Sequence, residues 1–340
     1  MYSHCKIVIA LILYFFALSF SSTSLAFNMK DANHIYFLGD SLFDTGYMDA
    51  SSDFVPTGQD PVYTTPHGHV TPYYISHKYN KADQANNVSP PAENTWVSGR
   101  LNGNDYAAGG AVTDGKGIGF AHYYPPALTY QVDKFLKEHK ILPKDIFIVW
   151  VGANDILKTY ITDKDKSPEV LATDEITAVD KATTTISGEV NTLISAGAKH
   201  IVVLNMPPIG DTPLLSSNEA FKQMGNLVSS MFNMALSNKL NKLTEKPAIF
   251  NVNQLFTDIT TAINDKGKYT EPDTSLTLTN DTKPACNDSI TNPMQLAINC
   301  KHWVKNPADY LFADGVHPSD TAHQILALHL EKFLSSPDVK

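Results

Sequence analysis

The 340-residue chain predicts a three-layer α/β/α sandwich around a central five-stranded parallel sheet, on two observations. Apolar runs at about 34–38, 105–110, 145–151, 200–205 and 248–252 have the length of buried strands, and helical stretches separate them. Strands that alternate with helices build a parallel sheet covered on both faces. The second observation is that polar turns carrying Ser41 and Asn154 follow two of these runs directly. Ligands of open α/β sheets bind at the carboxyl ends of the strands, so both turns are expected at one edge.

In chain order, residues 1–26 read as a secretory signal peptide. Lys6 supplies a weakly positive start, Ile7 to Phe20 an apolar core, and Ser24-Leu25-Ala26 a small-x-small cleavage site. The apolar stretch falls short of the ~20 residues that span a bilayer, and polar Ser21 to Ser24 follow it. Removal of this leader leaves 27–340 as a single domain with no repeat or low-complexity linker, secreted to an extracellular or periplasmic space. Residues 47–103 form a long insertion carrying Tyr63, Tyr73, Tyr74, Tyr79 and Trp96, and a second aromatic patch spans 122–126. Long aperiodic loops often serve as lids or substrate walls. For any single tyrosine, simple packing of the loop onto the domain is the competing reading.

The clearest helix covers 174–196, with Ile176, Val179, Ala182, Ile186, Val190 and Leu193 as its apolar stripe and Gly197 as its stop. Helices are also expected at 221–243 and 320–334, with their Met and Phe residues in the core.

The chemistry is carried by Gly39-Asp40-Ser41-Leu42 near the start and Asp314-Gly315-Val316-His317-Pro318 near the end. A serine hydroxyl attacks only when an imidazole takes its proton, and that imidazole needs a third group to fix its tautomer. Asp314 and His317 are three residues apart, so one turn can present both to Ser41. The Ser41 and Gly110 backbone N–H groups and the Asn154 amide are candidate donors to a developing oxyanion. Asn-Asp after a strand is also good turn or helix-cap chemistry.

Composition narrows the partners. The chain has 26 Lys and Arg against 35 Asp and Glu, and Arg100 is the one arginine. Nucleic acid is therefore not an expected partner, and a bidentate arginine clamp on phosphate is nearly unavailable. Cys5 leaves with the leader, so Cys286 and Cys300 are expected to form one disulfide, ahead of two buried thiols or a metal site. Such a link removes about 3 kcal/mol of unfolded-state entropy in the simple chain model. His67-Gly68-His69 lacks the three or four ligands of a typical site, so no metal and no cofactor is expected.

Four blocks in order make the chain resemble the GDSL lipase/esterase family, the SGNH hydrolases. They are Phe37 to Gly46, Asn104 to Ala111, Val151-Gly152-Ala153-Asn154-Asp155 and Asp314 to Pro318, with Val202 to Pro213 as a further matching strand and turn. The resemblance spans about 34–330 and implies a flavodoxin-like strand order 2-1-3-4-5. It also implies Ser41 as nucleophile, His317 as base, Asp314 as its orienter, and Gly110 rather than Gly109 as the backbone donor. Phe43 and Tyr47 depart from the family pattern and bear on the pocket rim. The Pro-Pro-x-Gly-Asp-Thr-Pro segment and late cysteine pair most resemble the bacterial lipid-acting branch of phospholipases A, lysophospholipases and acyltransferases. A lipid ester is thus the expected substrate. The Cys286–Cys300 loop reads first as a staple for its segment, and the alternative that the resemblance suggests is a lid adjusted by an activating protease that cuts between the two cysteines. The alternatives are an O-acetylesterase of carbohydrate or sialic acid, and an inactive surface-binding module that would lack one of the four residues. The closing segment reads as a helix rather than barrel strands, so a free enzyme or one in peripheral contact with a membrane is expected.

Overall fold

The computed structural model describes residues 29–47, 63–79, 103–119, 124–163, 168–291 and 296–336. The expected leader, Trp96, Arg100, His122 and Tyr123 lie outside them.

Four of the expected strands form one parallel sheet, in the order β1 (Ile35–Gly39), β2 (Ile146–Trp150), β3 (His200–Leu204) and β4 (Ala248–Phe250). Every residue of β1 and β2 is buried, which is why both read as continuous apolar runs rather than alternating ones. The fifth strand, expected at 105–110, is a correction. This segment lies along the outer side of β1, through Phe37 N–H to the Asn104 carbonyl (2.9 Å) and Tyr106 N–H to the Phe37 carbonyl (2.8 Å). Only one bridge, Phe37 to Asp105, is regular. Asp105 accepts the Ala107 N–H (2.9 Å) on its own side chain, and such local bonds compete with a ladder. The segment still occupies the place of the second strand in the 2-1-3-4-5 order.

The helices are α1 (Thr71–Tyr79), α2 (Leu128–Glu138), α3 (Ala153–Asp163), α4 (Pro168–Ser195), α5 (Glu219–Leu240), α6 (Val252–Lys266) and α7 (Asp320–Leu334), with single helical turns between some of them. Side chains alternate across a strand. Ile35 and Phe37 therefore enter a core with Ile75 of α1, Ile259 of α6 and Ile325 of α7. Tyr36 and Leu38 enter the opposite core with Phe135 of α2, Ile186 of α4 and Phe232 of α5. These are the three layers.

Helix α4 buries Val179, Ala182, Ile186, Val190 and Leu193 as the stripe requires. It ends where Gly197 takes φ 112°, letting the Ala198 N–H reach the Leu193 carbonyl at 3.0 Å. Ile176 is a correction, being 54% exposed. A 28-residue helix runs about 42 Å against about 17 Å for a five-residue strand, so one end overshoots the sheet. The expectation of a core role for the Met and Phe residues of α5 also fails in part. Phe232 is buried, but Met234 lies on the helix side turned away from the sheet and is exposed, as is Phe221 in the first turns of the helix.

Beyond the main sheet, β5 (Tyr269–Thr270) pairs antiparallel with β6 (Thr277–Leu278), and β7 (Asn280–Pro284) pairs parallel with β8 (Tyr310–Phe312). Strand β8 runs directly into Asp314. The Cys286–Cys300 disulfide is present, with Cα atoms 5.9 Å apart. Among the described residues, no helix is long and apolar enough to cross a membrane.

Candidate active site

Gly39 faces Trp150 in the β1–β2 register, so the turns after these strands leave the sheet side by side. Only glycine fits at 39, because a Cβ there would sit 2.4 Å from the Trp150 carbonyl oxygen. Buried Gln131 of α2 braces the same residue twice, accepting the Gly39 N–H and donating to its carbonyl, each at 2.8 Å. The chain then turns tightly, with the Phe43 and Asp44 N–H groups on the Asp40 carbonyl, and Ser41 stands at the bend.

At the other end, Ala313 N–H donates to the His317 carbonyl at 2.8 Å and closes a loop over Asp314 to Val316. Ser319 caps α7 by accepting the Ala322 N–H, which fixes where the loop ends. The Leu214 N–H, just after the Pro-Pro-x-Gly-Asp-Thr-Pro segment, holds the Gly315 carbonyl at 2.9 Å.

The two loops meet. His317 Nε2 lies 2.8 Å from Ser41 Oγ, and His317 Nδ1 lies 2.7 Å from Asp314 Oδ2. Ser41 and His317 are each 6% exposed, so solvent reaches the line only narrowly. The Asp314 carboxylate also accepts the Val316 and His317 N–H groups on Oδ1, both at 2.8 Å, and the Ala297 N–H on Oδ2 at 2.6 Å. Burial works against its ionisation, but the His317 charge and these donors override it and hold the carboxyl below its usual range. Burial conversely pushes Asp40 up to about 7, and its Oδ2 has no partner among the described residues. His323 behind the site is pushed down to about 3 by burial and then by His317, so it stays neutral.

The expected oxyanion donors gather around one segment. Gly110 has φ 79°, and a Cβ there would meet the Ile118 carbonyl oxygen at 2.2 Å, so the turn demands glycine. Gly109 N–H is engaged by Asp44 Oδ2 at 2.7 Å, whereas the Gly110 and Ser41 N–H groups have no hydrogen-bond partner among the described residues. Asn154, in the first turn of α3, donates from Nδ2 to the Ala111 carbonyl at 2.9 Å. Its second N–H remains for other use. Asp155 accepts the Thr113 N–H (3.0 Å) and hydroxyl (2.7 Å), so the Asn-Asp pair pins the strand end to the glycine turn.

Some supports went unassigned in the sequence. Asp44 accepts the Gly46 and Tyr47 N–H groups on Oδ1 and Gly109 on Oδ2, which ties the serine turn to the glycine turn. Asp105 accepts both the Thr45 N–H and its hydroxyl. Carboxylates inside otherwise apolar motif blocks were the available signal. Phe43, expected at the pocket rim, is instead core: it is fully buried edge-on to Phe37 and Trp150, 5.7 and 5.4 Å between ring centroids. Tyr74 and Tyr79 pack the loop onto α7 through Asp320 and Glu331, while Tyr63 lies on His317 itself. Cys286, Asp288 and Cys300 bring donor atoms together, but the two sulfurs are joined to each other and offer no thiolate to a metal.

A serine hydroxyl, an imidazole and a buried carboxylate in one hydrogen-bonded line, at the carboxyl edge of a parallel sheet, is the arrangement of a serine hydrolase. The chain belongs to the GDSL-like lipase/acylhydrolase family, whose model matches residues 35–330. Among curated relatives, it is 25% identical over 334 residues to the anther-specific proline-rich protein APG of Arabidopsis thaliana, covering 86% of this chain and 59% of that protein. It is 28% identical over 135 residues to the phosphatidylcholine-sterol acyltransferase of Aeromonas hydrophila, covering 39% of this chain and 36% of that enzyme. The chain thus spans less than two thirds of either relative. A solved acetylxylan esterase from Geobacillus stearothermophilus is 14% identical with a TM-score of 0.42, covering 91% of this chain and 96% of that one.

Proposed function

We propose that this protein is a secreted serine esterase acting on acyl esters of lipids, as a lysophospholipase or phospholipase A with capacity for acyl transfer. The observation that carries the chemistry is the Ser41–His317–Asp314 line. Ser41 Oγ attacks the ester carbonyl carbon as its proton passes to His317 Nε2. Asp314 holds Nδ1–H, so that Nε2 is the free base. The tetrahedral oxyanion is met by the Ser41 and Gly110 N–H groups and the Asn154 amide. Collapse expels the alkoxide, which takes the proton from His317, and leaves an acyl-serine. Water, or a second alcohol, then attacks with His317 again as base. The lipid reading is supported by the acyltransferase among the relatives.

The disulfide loop is proposed as the place where a protease adjusts this activity, and the reading includes peripheral contact with a lipid surface. Residues 287–299 hold no Lys or Arg, while Ile290 is exposed, so a protease preferring apolar residues could cut where trypsin could not. Ala297, inside the loop, donates to Asp314, so a cut has a route to the chemistry. The deciding experiment offers lysophospholipids, diacylphospholipids, p-nitrophenyl esters and acetylated sugars to intact protein and to protein nicked between Cys286 and Cys300. Lysophospholipid or phospholipid turnover above that of acetylated sugars is expected, changed by nicking. Turnover of acetylated sugars alone would refute the lipid reading, and unchanged kcat/KM on every lipid after verified nicking would refute the adjustable loop.

Asn154→Ala is expected to lower kcat by about two to three orders of magnitude with little change in KM, because the donor acts on charge present only in the transition state. A rise in KM alone would instead assign Asn154 to ground-state binding.

A further inference from the structure

The His317 imidazole is held at both nitrogens, by Ser41 and by Asp314. Those two bonds lie near one line, so they leave the ring free to tilt about that line. Tilt is resisted only by what packs on the ring faces. Tyr63 packs there, with ring centroids 4.8 Å apart and planes at 39°. The same phenol presses on the glycine turn, since a Cβ at Gly109 would fall 2.2 Å from the Tyr63 hydroxyl oxygen and 2.5 Å from Cζ. Tyr63 is 2% exposed and its hydroxyl has no hydrogen-bond partner among the described residues, so the contact is made by the ring.

The segment bearing Tyr63 is anchored to the loop that it covers. Thr64 Oγ1 donates to the Pro318 carbonyl at 3.1 Å, the Asp320 N–H donates to Thr65 Oγ1 at 3.1 Å, and the His69 N–H donates to Asp320 Oδ1 at 2.8 Å. Tyr63 is thus fixed relative to His317 by bonds between the residues that follow it and those that follow His317.

We propose that Tyr63 is a positioning residue, whose ring, backed by the Gly109–Gly110 turn, keeps the His317 imidazole in the plane shared by Ser41 and Asp314. This rests on the serine-esterase reading. The imidazole must pass a proton from Ser41 to the leaving alcohol, so a ring that tilts or admits water at Nε2 loses productive geometry. Misplacement of a catalytic group by about 1 Å can cost 10²-fold.

The test compares Tyr63→Leu and Tyr63→Phe on a soluble ester, p-nitrophenyl butyrate, with the low-field proton NMR signal of the His317 Nδ1–H bonded to Asp314 as an independent readout. Tyr63→Leu is expected to lower kcat by about 10- to 100-fold with KM within about threefold, and to broaden or abolish the signal. Tyr63→Phe, which restores the flat face, should recover both. If Tyr63→Leu does not fold, Tyr63→Met fills similar space without a flat face and takes its place. Wild-type kcat and an intact signal in the folded Leu or Met protein overturn the proposal, as does an equal loss in Tyr63→Phe. A wild type inert on every ester would refute the esterase reading instead, and the imidazole signal would still decide the Tyr63 contact.

Discussion

Ser41→Ala is expected to drop ester hydrolysis by about a million-fold, to the limit of detection, while the protein keeps its melting temperature within a few degrees. Ser41 Oγ is the hydroxyl that His317 Nε2 faces, at 2.8 Å, and the bend holding it is built by Gly39, Gln131 and Asp40 through backbone and amide bonds that an alanine leaves untouched. Loss of one partly solvated oxygen leaves no large cavity, so the fold has little reason to respond. A labelled fluorophosphonate should mark the wild type and not the variant. Normal turnover by a well-folded Ser41→Ala protein would end the serine-esterase reading.

Asp314→Asn is expected to cost up to about 10⁴-fold in kcat. Asp314 faces only donors: two backbone N–H groups on Oδ1, and the Ala297 N–H and His317 Nδ1 on Oδ2. An amide must turn its NH2 towards one pair. Turned to His317, it forces the tautomer with a proton on Nε2, which can no longer receive one from Ser41. Turned away, it sets NH2 against two buried N–H groups, and each unmet donor costs about 1–3 kcal/mol. The variant should therefore lose stability as well as rate. The sign with pH follows from the depressed carboxyl, which contributes stability above its unfolded value of 3.8 and loses it as pH falls through the lower folded value. The gap in melting temperature between wild type and variant should accordingly be full at neutral pH and narrow below pH 3.8. A variant keeping most of its rate would reduce Asp314 to a loop support.

The loop from Cys286 to Cys300 shows why some of this was hidden in the sequence. Its disulfide was legible from the cysteine count and the expected leader, yet nothing in the string tells that Ala297 spends its N–H on Asp314, because any residue but proline offers the same group. Tyr63 is a parallel case. It was one aromatic among several in a long insertion, and only its ring contact with His317 singles it out from Tyr74 and Tyr79, which bond to α7. Ile176 passed for a core residue because periodicity reports which side chains share a helix face, and not how far along the helix that face finds a neighbour.

The sequence by itself determined the layered α/β architecture, four of the five expected strands, and the candidates for a nucleophile, a base, an orienting carboxylate and three oxyanion donors. Those features are local: apolar runs of strand length, tight turns that only glycine allows, and Asp and His three residues apart on one loop. Tertiary structure alone decided that Ser41 and His317, 276 residues apart, lie 2.8 Å from each other. It also decided that 104–108 lies along β1 without becoming a full strand, that Gly109 is taken by Asp44 while Gly110 is left unengaged, and that Phe43 belongs to the core. The physical reason is the same in each instance. A backbone hydrogen bond or a ring contact depends on which surfaces meet once both cores have closed on the sheet, and that is a property of the packed chain.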